Sequence, residues 1–245
     1  MKASPMSQSA VAPSPVIPKK VYARVALVNP EESTAIVLRD CFRQFGIRVV
    51  LTDDDSILRL QREKFEACVV KLSEPDAEMV LETARNSPSN SRIVIYGIAA
   101  SAQEALKFSK YGVNAILDDP VERQSALKVV RATHLLVLHE LRRYVRLPMI
   151  TEVEIVAIVD GDKEKFRATS HEISAGGMSI KTQRTFERDC PMEITFVLPG
   201  TVGSILIHAT ACWSCKKQGL LGVRFDPADE QRITVKRWVD GYLEI

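Results

Sequence analysis

Two arginines in the middle of the chain, Arg142 and Arg146, have the spacing of an anion-binding pair. Because they are four residues apart, their side chains lie on one side of the backbone whether it is helical or extended. Each guanidinium is planar and permanently charged, so it can hold a phosphate through two hydrogen bonds or stack on a flat base. The pair therefore predicts a site for a phosphate-bearing ligand such as a nucleotide.

A structural interpretation accounts for part of this arginine cluster. Residues 121–143 have the pattern of one long helix, and positive charge at a helix C-terminus interacts favourably with the carbonyl dipoles. That interaction explains Arg142 and Arg143 but not Arg146, which lies beyond the predicted helix end. In an extended chain Arg143 would point away from the other two arginines.

A second polar group, Glu172, Ser174 and Gly177, lies among short strands. A carboxylate, a hydroxyl and a glycine that lets backbone approach closely are useful around a small ligand. The predicted strands of this half cover residues 152–159, 165–173, 177–181, 192–198, 205–214 and 219–225. Strands of this length separated by turns predict a small antiparallel β-barrel. A last helix at 229–242 is expected to dock through Ile233, Trp238 and Val239.

The first half of the chain alternates strands with amphipathic helices. The predicted strands are 24–28, 47–51, 67–72, 92–96 and 114–117, and the helices between them are 31–45, 56–64, 76–86 and 102–111. This alternation predicts an α/β unit with a doubly wound, five-stranded parallel sheet covered on both faces. The long helix that follows is expected to bury a stripe that includes Leu135 and to leave apolar surface for a second domain or a homodimer.

These patterns divide the chain into a disordered tail (1–20), a first domain (21–134), a connecting helix with the arginine linker (135–147) and a barrel domain (148–245). The tail lacks the continuous apolar run of a secretory signal. No later segment is long and apolar enough for a membrane span. We therefore expect a cytoplasmic protein.

Composition limits the classes of ligand. The chain has 33 basic and 31 acidic residues, so no overall basic excess favours a nucleic-acid polymer. The pair Cys212 and Cys215 has the spacing of a redox or zinc motif, but in a strand these two side chains point to opposite faces. His134 and His139 are five residues apart and off one helical face. We expect no metal site and no cofactor.

The arginine pair and the second polar group together resemble the PilZ family, bacterial domains that bind cyclic di-GMP. The family pattern is Arg-x-x-x-Arg, followed after a strand or two by Asp/Asn-x-Ser-x-x-Gly. Here Arg142 and Arg146 match the first element, and Ser174 and Gly177 match the second. Glu172 departs from the pattern because its carboxylate is one methylene further out than that of Asp.

The PilZ resemblance covers roughly residues 142–245 and includes Ala209-x-x-x-Trp213 and the run from Gly222 to Phe225. It implies a PilZ-type barrel that binds cyclic di-GMP. Trp213 is expected in the core or on the barrel surface rather than as a stacking platform for a base. The implied ligand-binding residues are Arg142, Arg143, Arg146, Glu172, Ser174 and Gly177.

The first domain resembles the receiver domain of bacterial response regulators. Aligned by strand ends, the family's acidic pair, phosphoacceptor, hydroxyl residue and lysine correspond here to Asn29 and Pro30, Lys71, Gly97 and Asp119. An ammonium cannot accept a phosphoryl group, and without a carboxylate cluster nothing there holds a divalent metal. The resemblance implies a phosphorylation-incompetent pseudo-receiver used for regulation, partner binding or dimerisation.

Lys71 and Asp119 exchange the charges that the receiver family places at these two strand ends. We therefore expect a salt bridge between them, within about 4 Å, that holds this end of the sheet in one state. Two independently solvated charges are the alternative.

The sequence predicts a non-enzymatic bacterial signalling effector that binds cyclic di-GMP at the join of its two halves and acts on an unidentified protein partner. The alternative is a protein-interaction adaptor that has lost both nucleotide binding and phosphoryl transfer.

Overall fold

The computed structural model describes residues 18–53, 55–159 and 161–243. Residues 1–17, most of the predicted tail, lie outside the described part of the chain. The chain divides into two compact units, an N-terminal unit, Lys20–Val145 with Leu243, and a barrel unit, Arg146–Tyr242. The division falls directly after the long helix that ends at Tyr144.

The N-terminal unit is built from five strands and five α-helices among its described residues. The strands are β1 (Arg24–Val28), β2 (Arg48–Thr52), β3 (Ala67–Lys71), β4 (Val94–Ala99) and β5 (Ala115–Asp118). The helices are α1 (Glu32–Arg43), α2 (Ser56–Arg62), α3 (Ala77–Asn86), α4 (Ala102–Lys107) and α5 (Arg123–Tyr144). All strand pairs are parallel, in the order β2-β1-β3-β4-β5. The predicted doubly wound α/β sheet is confirmed.

Apolar strands covered by helices form the core of this unit. β1 and β3 bury nearly all of their side chains, as expected for central parallel strands. On the side of α1 and α5, the rings of Phe42 and Tyr96 meet edge to face with centroids 5.4 Å apart. The Tyr96 hydroxyl lies 2.7 Å from the Thr133 hydroxyl on α5. The sheet thereby fixes the first part of α5.

Two predictions for the N-terminal unit are wrong. β4 begins at Val94 rather than 92, because Ile93 still belongs to a turn in which its N–H donates to the Asn90 carbonyl at 2.8 Å. It also ends later, so Gly97 lies inside the strand and not beyond its C-terminal end. In α5, Leu135 is 63% exposed. The buried face passes through Val130, Val137 and Leu141, and position 135 falls well outside that face at helical spacing.

Among its described residues, the barrel unit contains seven strands and one helix. The strands are β6 (Leu147–Pro148), β7 (Glu152–Val159), β8 (Asp162–Ser174), β9 (Gly177–Lys181), β10 (Pro191–Phe196), β11 (Ile205–Cys215) and β12 (Leu220–Phe225). Six of them close an antiparallel ring, β8-β7-β10-β11-β12-β9, because β9 also pairs with β8. The predicted barrel is confirmed. The two-residue β6, which pairs outside this ring with β8, was not predicted.

In the described part of the barrel, two irregularities interrupt the ladders. The β8 and β9 register shifts at His171, and the β11 and β12 register shifts at Cys212. A bulge of this kind changes which face the following side chains occupy and is common beside functional sites.

The closing helix α6 spans Gln231–Asp240. Val235 and Val239 are its buried residues, whereas Ile233, expected to dock, is 55% exposed. The Trp238 indole N–H donates to the Pro199 carbonyl at 3.0 Å, which ties this helix to the barrel. Within the described residues, no helix has the length and apolar character needed to cross a membrane.

Candidate functional site

An open pocket of about 300 Å³ lies on the outside of the barrel unit. Its wall brings together four residues of the predicted ligand site. They are Arg146, Glu172, Ser174 and Gly177. We call it the barrel pocket.

Arg146 and Glu172 contribute opposite charges to the barrel pocket. In the pairing of β6 with β8, Leu147 faces Ile173 and Pro148 faces Glu172, so the same register carried back one residue sets Arg146 opposite Ser174. Among the described residues, neither the Arg146 guanidinium nor the Glu172 carboxylate has a hydrogen-bond or ion-pair partner. Both groups are therefore available to a ligand.

Ser174 and Gly177 shape the turn between β8 and β9. The Ser174 hydroxyl donates to the Gly177 carbonyl at 3.1 Å and accepts from the Gly176 N–H at 3.4 Å. A Cβ on Gly177 would overlap the carbonyl oxygen of Val223 on β12. The glycine therefore lets β9 and β12 approach closely, and the serine closes the turn.

Trp213 forms another part of the pocket wall. The register shift at Cys212 pairs Trp213 with Gly222, and a Cβ on Gly222 would overlap the indole ring. The indole thus packs against the glycine while 43% of the residue stays exposed. The structure places Trp213 on the barrel surface, one of the two expected positions, where it lines the barrel pocket.

Arg224 on β12 also lines the barrel pocket, and the sequence did not identify it as a site residue. It pairs directly with Gly177, and residues paired across strands carry their side chains on the same face. Its Nη2 lies 3.7 Å from Oδ1 of Asp189, and both side chains are largely exposed. Only the strand register reveals this position.

The barrel pocket therefore combines two guanidinium groups, one carboxylate and an exposed indole. Guanidinium groups bind phosphates or base edges, and an indole face stacks on a base. Arg142 and Arg143 occupy the last turn of α5, in the N-terminal unit, and their part in a ligand site stays a prediction.

At the C-terminal end of the parallel sheet, Lys71 sits between two carboxylates. Its Nζ lies 2.6 Å from Oε1 of Glu31 and 3.4 Å from Oδ2 of Asp119. The predicted Lys71 to Asp119 ion pair is present, and Glu31 adds a second partner that the sequence did not indicate. We call these three residues the sheet-edge cluster. Asn29 and Pro30 lie beside it, around a space of only about 10 Å³.

The charges of the sheet-edge cluster stabilise one another. The hydrogen bond that Lys71 donates to Glu31 raises the pKa of Lys71 above its ordinary value. The same hydrogen bond lowers the pKa of Glu31. Lys71 and Glu31 are therefore held in their charged forms.

The fold and the pocket define a two-unit chain, a parallel α/β unit followed by a small barrel whose pocket is lined by two arginines. Residues 140–241 match the model of the PilZ domain family. This part of the chain is a PilZ domain.

Solved structures similar to each half are known. The receiver domain of a sensor histidine kinase from Pseudomonas aeruginosa shares 20% identity over 48% of this chain and 98% of its own, with a TM-score of 0.41. A chemotaxis response regulator of Vibrio cholerae shares 14% identity over 46% of this chain and 98% of its own, also at 0.41. The PilZ domain of CeSA from a cellulose-synthesising bacterium shares 22% over 40% of this chain and 96% of its own, at 0.33. A search of curated proteins finds no match.

Proposed function

We propose that this protein is a signalling effector that binds cyclic di-GMP in the barrel pocket. A PilZ domain following a receiver-like unit supports the signalling role. The observation that carries the ligand is the convergence of Arg146, Glu172, Ser174 and Gly177 on one open pocket.

The chemistry of the barrel pocket suits a cyclic dinucleotide. Arg146 has no partner within the described chain and offers its two-pronged donor to a phosphate or to a guanine edge. Glu172 can accept a hydrogen bond from a guanine N–H, since a carboxylate is acceptor-only when ionised. The exposed indole of Trp213 offers a face for a base.

The N-terminal unit has a regulatory or partner-binding role in this proposal. A lysine occupies the strand end where the receiver family carries its phosphoacceptor, and Glu31 and Asp119 already neutralise that lysine. An ammonium does not accept a phosphoryl group. The sheet-edge cluster therefore holds this end of the sheet in one charge state, and the signal enters through the barrel pocket.

Calorimetric titration of cyclic di-GMP into the full chain tests the proposed ligand. We expect saturable binding by the wild type, and at least about tenfold weaker binding after Arg146→Ala, because a hydrogen bond to a charged group is lost. Arg167→Ala is the matched control. Arg167 is an exposed barrel arginine whose Nη1 lies 3.3 Å from Glu152, and it does not line the barrel pocket. GTP serves as a competitor control.

An Arg142→Ala/Arg146→Ala variant extends this test to the predicted arginine pair. Loss of cyclic di-GMP binding in Arg146→Ala, with binding retained in Arg167→Ala, supports the proposal. Absence of heat and of thermal stabilisation in the wild type, well above micromolar ligand, overturns it and favours the adaptor.

A further inference from the structure

A row of residues crosses the barrel surface from Arg146 to Arg224. The register of β6 with β8, carried back one residue, sets Arg146 opposite Ser174. Ser174 pairs with Gly177, which in turn pairs with Arg224. Side chains paired across strands lie on the same face of a sheet. The two arginines are thus three strand spacings apart, roughly 14 Å along the curved surface, with the β8 to β9 turn between them.

We propose that Arg224 is a second arginine of the ligand site and that Asp189 is a counter-ion that competes with the ligand for it. This inference rests on the proposed function, since the ligand is the cyclic dinucleotide. A ligand with two separated phosphates or guanine edges can engage Arg146 and Arg224 together. A mononucleotide reaches only one of them.

Asp189 is positioned by its backbone to act as this counter-ion. Its N–H donates to the Ala211 carbonyl at 2.7 Å, which anchors the residue beside β11. Its φ of 64° is left-handed, a conformation that Asp and Asn tolerate better than other side chains. The carboxylate is thereby held 3.7 Å from the Arg224 guanidinium.

The Arg224 to Asp189 pair is weak enough to be exchanged. The two side chains are 61% and 65% exposed, and ion pairs this exposed contribute little to stability. A phosphate held by both prongs of a guanidinium is a stronger partner. Ligand binding therefore releases Asp189, which also lines the neighbouring cavity formed by the loop between β9 and β10.

Titration of cyclic di-GMP into the full chain, comparing wild type with three variants, tests this inference. Arg224→Gln is expected to weaken binding about tenfold or more through loss of a charged hydrogen bond. Asp189→Asn, which keeps the left-handed backbone accessible, is expected to tighten binding about two- to fivefold by removing an exposed ion pair. In the double variant the gain disappears, because Asp189 acts only through Arg224.

Two controls separate ligand contact from a structural role. Arg224→Lys keeps the charge without the fork, so binding is expected between that of wild type and Arg224→Gln, with unchanged unfolding temperature. Arg188→Gln removes an exposed arginine that borders the Asp189 cavity but not the barrel pocket, and it should leave the affinity unchanged.

The outcomes separate this inference from the proposed function. Wild-type binding that neither Arg224→Gln nor Asp189→Asn alters overturns the inference and leaves the proposed function standing. If Asp189→Asn also tightens cyclic di-GMP binding in the Arg224→Gln background, Asp189 does not compete with the ligand for Arg224, and the inference is overturned. If wild type does not bind cyclic di-GMP, both fall.

Discussion

The sheet-edge cluster and the barrel pocket differ in how their charges are compensated. At the sheet edge, Lys71 is neutralised by Glu31 and Asp119 around a space of only about 10 Å³. In the barrel pocket, a space of about 300 Å³ is lined by Arg146, which has no partner among the described residues. The first site is complete by itself, whereas the second offers charge to a ligand.

Under the proposed function, this difference predicts which half of the chain responds to a small molecule. A ligand shifts an equilibrium only through contacts that differ between states. A cluster that already satisfies its own charges has little further interaction free energy to offer. An open wall of guanidinium, carboxylate and indole has more, so we expect the ligand response to come from the barrel unit.

The largest effect, on both the free energy of unfolding and cyclic di-GMP binding, is expected from Gly177→Ala. The added Cβ would overlap the Val223 carbonyl oxygen. This oxygen belongs to the backbone of β12, so it cannot move aside as a flexible side chain can. We expect a loss of about 3 kcal/mol in the free energy of unfolding together with loss of cyclic di-GMP binding. Gly176→Ala is the control, because a Cβ there meets nothing within 4 Å. Equal denaturant midpoints for the two variants would show that the close approach of β9 and β12 has no energetic consequence.

A smaller effect is expected from Trp213→Ala, measured as affinity for cyclic di-GMP. Loss of one base-stacking platform should weaken binding about tenfold, or ~1.4 kcal/mol. The chain has two tryptophans. In a Trp238→Phe variant, tryptophan fluorescence therefore reports on Trp213. Unaltered fluorescence on ligand saturation of Trp238→Phe would argue against a base on this ring.

Lys71→Met tests how much the sheet-edge cluster contributes to stability. It leaves Glu31 and Asp119 facing each other without a cation, so we expect the N-terminal unit to lose about 1 kcal/mol of stability. Lys110→Met is the control. Lys110 contacts Glu78 at 2.7 Å, but both side chains are about 60% exposed, and such pairs contribute little. If the two variants unfold alike, the sheet-edge cluster is no more than surface charge.

The smallest effect is expected in the pH dependence of the difference in thermal unfolding midpoint between wild type and Lys71→Met. The folded pKa of Glu31 lies below its ordinary value of 4.5, so its stabilisation is present above that pH and is lost as pH falls through the folded pKa. The pKa of Lys71 is raised above 10.5, so its contribution is lost only at higher pH. The thermal midpoints of the two proteins should differ by a constant amount from pH 5 to 9 and converge at lower pH. A gap that widens in acid would contradict this account.

Much of both sites was predictable from local pattern. Alternating strands and helices predicted the parallel sheet, and its strand ends predicted that Lys71 would meet Asp119. The PilZ resemblance implied that Arg146, Glu172, Ser174 and Gly177 belong to one site, and the structure gathers them at one pocket. These predictions succeed because strand direction and residue spacing decide which side chains share an edge or a face.

The site contacts that the sequence did not indicate depend on a loop path or on strand pairing. Glu31 lies just beyond the aligned acidic positions, so only the path of the β1 to α1 loop brings it to Lys71. Arg224 reaches the barrel pocket through its register with Gly177, and Trp213 reaches it through the bulge at Cys212. A one-residue change of register exchanges the two faces of a strand, and the sequence of a single strand does not specify its partner's register.

Thermal unfolding of the full chain with two ligands distinguishes the barrel pocket from the sheet edge as the responsive site. Cyclic di-GMP is added to one sample, and Mg²⁺ with acetyl phosphate, a small phosphoryl donor, to another. We predict stabilisation by cyclic di-GMP, about 2.7 kcal/mol at ~100 times its Kd, and no shift with the phosphoryl donor. Stabilisation by Mg²⁺ and acetyl phosphate without any response to cyclic di-GMP would overturn the proposed function, because it would make the sheet edge the responsive site.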